Sequence, residues 1–330
     1  MIFESVKERA RLINKTIVLP ESNDVRMLKA SVTAVKENLA RIILLGQPDV
    51  ISGLAAGNGI NLSGVTVLEP AYFDRTDDMA AELRALSKSN ALTLAIAKEM
   101  LRDNIILGMM MVKKGIADGM VIGSARHMTD VLRPALDIIG AAPEVSVVSS
   151  CFIISMQKTG FRYKSVYAFA DCALNENPTA DELASIAVST AKTYKSLSNE
   201  EPIVAMLSHS TKGSSGHPDA AKAAKAVKLA KVKLPGLIID GEMQADAALI
   251  PSAGMAKAPG SIVAGRANVL VFPNLDAASI GYKLVEHLAG ANAYGPITQG
   301  LALPVNSLSQ DASVDDIVGS IAITALQSGN

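Results

Sequence analysis

Short apolar runs alternate with amphipathic, helix-spaced stretches from one end of the chain to the other. Thr16 to Leu19 is a run of strand length, and the DVRMLKASVTAVKEN segment behind it carries apolar residues at helical spacing. Arg41 to Leu45 then reads as the next strand. Such alternation predicts a largely parallel sheet covered by helices. ELASIAVSTAKTYKSL and AAKAAKAVKLAKVK are predicted as helices, because alanine loses no side-chain entropy when the backbone coils. From Ala142 onward, EVSVVSSCFIISM, SVYAFADCAL, PIVAMLSHS, GLIIDGE and NVLVFPN supply five further short strands separated by helices or long connections. They predict a second α/β sheet, open or mixed. The closing segment DDIVGSIAITALQ has one apolar helical face, and the pattern leaves open which domain it covers.

Composition narrows the function classes. With 330 residues, 49% apolar and 19% charged, the chain can fill two cores and is not expected to be disordered. Its 31 basic and 32 acidic side chains give a formal charge of −1, which argues against a dedicated nucleic-acid binder with a concentrated positive face. MIFESVKERARLINK has dispersed charges and no long apolar centre, so a signal peptide is not expected. No run of about eighteen apolar residues predicts a membrane span. Cys151 and Cys172 are too few for a disulfide framework and lack the paired spacing of a zinc site. Two reduced, buried thiols in a cytoplasmic protein are expected.

Three stretches can carry chemistry. In MLSHSTKGSSGHPDAAKAAKAVKLAK a strand runs into a polar glycine loop and then a helix. Ser208, Ser210, Thr211, Ser214 and Ser215 offer hydroxyls, and Gly213 and Gly216 permit tight turns. Lys212 adds a cation beside a helix start with unpaired N–H groups. The loop reads as a phosphate cradle or as a polar loop with a helix cap; GxxxxGK[ST] and the dinucleotide fingerprint are both missing. In DVLRPAL, Arg133 ends an apolar helical run before Pro134, and its guanidinium can offer two parallel donors to a phosphate or carboxylate. A structural ion pair is the alternative. Ser124, Arg126 and His127 stand just before it.

The third stretch is NSLSQDASVDDI. Ser309 offers a hydroxyl, and Asp315 or Asp316 a carboxylate that can act as a base if apolar surroundings raise its pKa. Alternatively, Ser313 and Asp316 have the spacing of a capping box. NLDAASIGYKLVEHLAG and ANAYGPITQGLALPVN pair a strand end with glycine-rich loops, where open α/β sheets receive ligands. Tyr282 and Lys283 can reach such a ligand, although core packing explains the tyrosine equally well. Neither a Ser–His–Asp pattern nor a metal-ligand cluster is read from the sequence.

Over essentially its whole length the chain resembles the phosphate acetyltransferases and related phosphate acyltransferases. The resemblance rests on ordered stretches: MMMVKKGIADGMV, DVLRPALDIIG, LNENPTADELASIA, VAMLSHSTKGSSGHP, IIDGEMQADAAL, VAGRANVLVFPNL, IGYKLVEHLAGANAYGPITQGLALPVN and SVDDIV. It implies two open α/β domains of the isocitrate-dehydrogenase-like class with a cleft between them. Residues 1–141 with 305–330 would form the first domain and 142–304 the second, which would mediate a homodimer. The implied reaction is reversible acyl transfer between acetyl phosphate and coenzyme A by direct attack of the thiol. Coenzyme A is then a substrate, with no metal and no tightly bound cofactor. The implied partners are these small molecules and a second copy of the chain, not nucleic acid or membrane. Asp316 resembles the residue that accepts or orients the thiol proton, and Ser309 the hydroxyl that steadies the transition state. Arg133 resembles an arginine that binds the phosphate end. Ser210, Thr211, Lys212, Gly213 and Ser214 resemble part of an anion-binding wall.

The chain departs from that pattern at several points. The family usually has serine-arginine-glycine where this chain has Ser309, Gln310 and Asp311. Gln310 donates hydrogen bonds but cannot neutralise a phosphate, and Asp311 adds negative charge. Ser87 stands where an arginine is expected, with Arg84 and Lys88 nearby. Ile122 replaces a common serine, Met128 a threonine, Ala278-Ser279 glycine-asparagine, and Ile105-Ile106 tyrosine-phenylalanine. These changes predict a cleft with fewer hydroxyls and cations. They keep open a transferase for another acyl group, or a noncatalytic homologue that binds a coenzyme A-like or phosphate ligand.

Overall fold

A computed structural model describes residues 2–87, 91–123, 128–143, 145–156, 165–309 and 312–329. The chain forms two compact units, Phe3–Ala142 with Leu301–Asn330, and Pro143–Gly300. A bridge between Ala141 and Leu301 holds the returning chain in the first unit from residue 301 onward.

Strands β1 (Thr16–Leu19), β2 (Arg41–Leu45), β3 (Thr66–Leu68) and β4 (Gly119–Ile122) belong to the first unit. The second contains β5 (Ser149–Ser155), β6 (Val166–Ala170), β7 (Ile203–Leu207), β8 (Ile238–Met243), β9 (Val269–Val271) and β10 (Asn292–Gln299). β11 (Val305–Ser307) lies in the first unit again. The first unit's helices begin with α1 (Ile2–Ile13), α2 (Val25–Lys36), α3 (Pro48–Gly57), α4 (Thr76–Leu86), α5 (Leu94–Met100), α6 (Asn104–Lys113) and α7 (Met128–Ile138). The second unit has α8 (Ala180–Ser198), α9 (Pro218–Lys233), α10 (Ala245–Leu249), α11 (Pro251–Lys257) and α12 (Leu275–Ala289). α13 (Val314–Gln327) closes the first.

In the first unit the strand order is β11-β4-β1-β2-β3, and every pairing is parallel. Ile17, Val18 and Leu19 are fully buried, as a strand covered on both faces requires. Each such side chain contributes roughly 1.5–3 kcal/mol when taken out of water. α6 has Leu107, Gly108, Met109, Met110 and Met111 all buried, so it is an interior helix without a polar stripe. α13 buries Ile317, Ile321, Ala322 and Ala325 and packs on α2 and β4. That packing answers the question its sequence left open.

The second unit's sheet is mixed, in the order β10-β5-β6-β9-β7-β8. β5 runs antiparallel to both β10 and β6, and the remaining pairs are parallel. α8 opens on a capping box between Thr179 and Glu182, and its buried alanines pack beside those of α9. Residues 292–299, within a stretch read from sequence as a strand end with glycine-rich loops, form the edge strand β10 over their whole length. Gly295 and Pro296 fall in a register shift between Tyr294 and Ile297, the edge position where proline is tolerated. Residues 275–289, within a stretch read as a strand end with glycine-rich loops, are the helix α12, capped by Asn274. Gly241 in β8 adopts φ +145°, and a Cβ there would lie 2.7 Å from the Met206 carbonyl oxygen. Glycine therefore lets β8 approach β7 just where the next residue is a buried glutamate, Glu242.

Candidate active site

In the first unit the candidate residues follow the carboxyl ends of neighbouring strands. β4 leads into α7, which carries Arg133, and β11 leads through Ser309 to α13, which carries Asp316 in its first turn. Strand order reverses between β4 and β1, the topological switch point where open α/β sheets receive ligands. Beside the end of β1 lies a cavity of about 600 Å3 lined by Glu21, Asn23, Arg102 and Asn104 among others. A second, of about 380 Å3, shares Asn23, Arg102 and Asn104 and reaches Gln47 and Glu69 beyond β2 and β3.

Arg133 is exposed midway along α7, and the helix continues through Pro134 to Ile138 instead of ending before the proline. Among the described residues it forms no ion pair. Ser309 is exposed, and its carbonyl accepts the Ala312 N–H at 3.1 Å. The capping box at Ser313 and Asp316 is present. Asp316 Oδ2 accepts from the Ser313 N–H at 2.8 Å and its hydroxyl at 2.7 Å, while Ser313 Oγ accepts the Asp316 N–H at 3.2 Å. The cap uses one carboxylate oxygen, so capping and proton transfer are compatible roles.

In the second unit the Ser210–Ser214 loop arrives with most of its donors engaged. Glu242, 4% exposed, takes the Ser210 hydroxyl at 2.9 Å and the Gly213 N–H at 2.6 Å on Oε1, and its carbonyl accepts the Lys212 N–H at 3.0 Å. The Ser215 N–H donates to Ser210 Oγ and the Thr211 N–H to Ser214 Oγ, each at 3.0 Å. Thr211 Oγ1 accepts the Gln244 N–H at 3.0 Å. Lys212, at φ +51°, pairs with Asp240. His217 caps α9, its Nδ1 accepting the Asp219 N–H. The cradle read from sequence thus already encloses an anion, the Glu242 carboxylate. Sequence reading passed over Asp240 and Glu242 because they sit in a strand. Their i, i+2 spacing, which a regular strand would place on one face, was the available signal, although the register of β8 shifts at Glu242.

Burial alone would raise the Asp240 pKa, but the Lys212 ammonium, the Ser261 hydroxyl and the Gly241 N–H together hold it below the ordinary 3.8. A carboxylate with a depressed folded pKa stabilises the fold above its unfolded value and loses that contribution as pH falls through the folded one. Asp240→Asn should therefore be less stable than the parent near neutrality, with the difference closing below pH 3.8. Urea denaturation across a pH series measures this, and a gap that widened towards low pH would contradict the assignment.

Tyr282 stacks on Phe152 with ring centroids 4.2 Å apart, which favours its packing role. Lys283 is exposed, its Nζ 5.9 Å from the Tyr282 ring. Ile122 and Ala278 are fully buried and Ile105 is 3% exposed, each in the apolar core of its own unit. The expectation that these substitutions strip one cleft of polar groups is corrected for Ile122 and Ala278, which repack cores. Ser124, Arg126, His127, Lys88, Gln310 and Asp311 lie outside the described residues, as does the Met128 side chain. Burial, and secondarily the Asp171 charge, pushes the Cys151 and Cys172 thiols up, so neither is a ready nucleophile. Among the described residues no group of three or more His, Cys, Asp or Glu side chains is placed to hold a metal ion. No described helix is long and apolar enough to cross a membrane.

Comparison with known proteins agrees over the whole length. The chain is 48% identical over 326 residues to the phosphate acetyltransferase of Thermoanaerobacterium thermosaccharolyticum, covering 99% of each chain. It is 47% identical over 324 residues to that of Acetivibrio thermocellus, covering 98% of this chain and 97% of the relative. A phosphotransacetylase crystal structure from Streptococcus pyogenes superposes with a TM-score of 0.93 at 41% identity, covering 99% of this chain and 98% of that one. Residues 1–325 match the family described as phosphate acetyl/butaryl transferase, and the chain belongs to that family.

Proposed function

We propose that this chain catalyses reversible transfer of an acetyl group between acetyl phosphate and coenzyme A, by direct attack of the thiol on the acyl carbon. The full-length family match carries this reading. The placement of Arg133, Ser309 and Asp316 after neighbouring strand ends of one sheet supports the residue roles. Asp316 accepts the thiol proton, which matters because a thiol with a pKa of about 8.5 is mostly protonated at neutral pH. The sulfur then bonds to the acyl carbon, and Ser309 donates a hydrogen bond to the carbonyl oxygen as it gains charge. Arg133 holds the phosphate with two parallel donors while the bond from acyl carbon to phosphate oxygen breaks.

Purified protein mixed with acetyl phosphate and coenzyme A should form thioester. A rate no higher than that of a Ser309→Ala, Asp316→Ala variant rejects the reading. Butyryl phosphate run in parallel measures acyl preference, and a faster rate with it would favour the longer-chain alternative. That alternative is weakened by the burial of Ile122 and Ala278 in cores.

We further propose that the pair of open sheets, one parallel and one mixed, is of the isocitrate-dehydrogenase-like class, a reading that the strand orders support. A cytoplasmic setting, where thiols stay reduced, suits two buried free cysteines. The same proposal puts a homodimer contact on the second unit, supported by Ile280, Leu284 and Leu288, which α12 exposes at 60%, 52% and 82% on one helical stripe. Leu284→Glu should convert a dimer to a monomer in size-exclusion light scattering without loss of helix content. An unchanged mass would refute this placement.

A further inference from the structure

We propose that Arg26 is a positioning residue for the transfer reaction, clamping the Ala312 carbonyl and thereby fixing Ser309 and the Ser313–Asp316 cap. The inference rests on the reading that Ser309 and Asp316 handle the chemistry. Arg26 Nη1 donates to the Ala312 carbonyl at 2.9 Å, joining residues 286 apart in sequence. Ala312 is 6% exposed, and its own N–H donates to the Ser309 carbonyl, so one residue is tied both to the hydroxyl-bearing position and, through the chain, to the cap of α13.

The guanidinium is itself held. Its Nε reaches both Asp24 oxygens, at 3.2 and 3.1 Å, and Nη2 donates to Asp24 Oδ2 at 2.7 Å. Asp24 is fixed in turn as the N-cap of α2, accepting the Arg26 N–H at 2.7 Å. Burial alone would raise the Asp24 pKa, yet bonding to Arg26 holds it below its ordinary value, so the clamp stays charged at neutral pH. The planar fork serves a carboxylate on one side and a carbonyl on the other at once, which a lysine ammonium on a flexible stem cannot do in the same geometry. Both side chains of the pair are about one-third exposed, and exposed ion pairs add little to folding. The clamp's effect is therefore expected in the geometry of the turn more than in the stability of the fold. A small displacement of reacting groups is enough to slow an enzyme markedly.

The test compares full-length Arg26→Lys and Asp24→Asn with the parent. Arg26→Lys should lower kcat by about 10- to 100-fold, with KM for coenzyme A and acetyl phosphate changed less than threefold and the melting midpoint nearly unmoved. Asp24→Asn should shift kcat in the same direction by less, because Arg26 keeps its bond to Ala312. Adding Arg26→Lys to the Ser309→Ala, Asp316→Ala background should have no further effect, since the groups it positions are gone. A raised KM with unchanged kcat would overturn the proposal in favour of direct ligand contact. An additive effect in the triple variant would overturn it as well. If the Ser309→Ala, Asp316→Ala variant matches the parent rate, the underlying reading fails, an outcome separate from any Arg26 result.

Discussion

Replacing Ser309 and Asp316 together by alanine should lower thioester formation by at least about three decades while the protein remains folded. A single well-placed donor to a developing oxyanion is worth about two to three decades, and a positioned base about two to four. The two act in one step, so their effects will not simply add. The structure supplies a confounding effect and its control. Asp316 also closes the capping box of α13, and losing it should cost roughly 1 kcal/mol of stability. Ser313→Ala removes the same cap but leaves the carboxylate, so it should cost similar stability and lower kcat by no more than the roughly 10- to 100-fold that displacement of a reacting group brings. If Ser313→Ala alone reproduced the full loss of rate, Asp316 would be a structural residue and not the base.

Much of the fold was legible because local pattern and tertiary packing agree. Ile17 to Leu19 is apolar throughout and becomes the buried part of a strand, and the alanine-rich segments become α8 and α9. The capping box at Ser313 and Asp316 followed from spacing alone. What stayed hidden depended on context. Gly295 and Pro296 disguised β10, since an edge strand with a register shift tolerates residues that a central strand excludes. Pro134 suggested a helix end, yet α7 runs through it. Ile122 looked like a change to a binding surface when compared by residue type, but its strand is buried on both sides. The site was legible as a set of residue types and much less as a network. Nothing in linear spacing links Arg26 to Ala312, and Asp240 and Glu242 resembled any polar residues within a strand.

The Gln310→Arg variant should raise kcat/KM for acetyl phosphate by about one to two decades. In the resembling family an arginine follows the serine that corresponds to Ser309, and a cation there can neutralise phosphate or a developing oxyanion. Glutamine offers only neutral donors, which are roughly half as strong towards an anion. Loss of such a charged donor is worth about two to four decades in rate. The expected gain is smaller because Asp311, next in the chain, would draw the new guanidinium towards itself and lower the local potential. Two further measurements follow from that electrostatic cause. Gln310→Arg with Asp311→Gly should exceed Gln310→Arg alone, and both gains should shrink as ionic strength rises, because exposed charges are screened within about 10 Å at 0.1 M salt. An unchanged rate in both variants would mean that the remaining groups, Arg133 foremost, already balance the substrate's charge and that the substitution at 310 is compensated within this chain. A gain insensitive to salt would instead point to a change in turn geometry, because a conformational effect does not follow the Debye length.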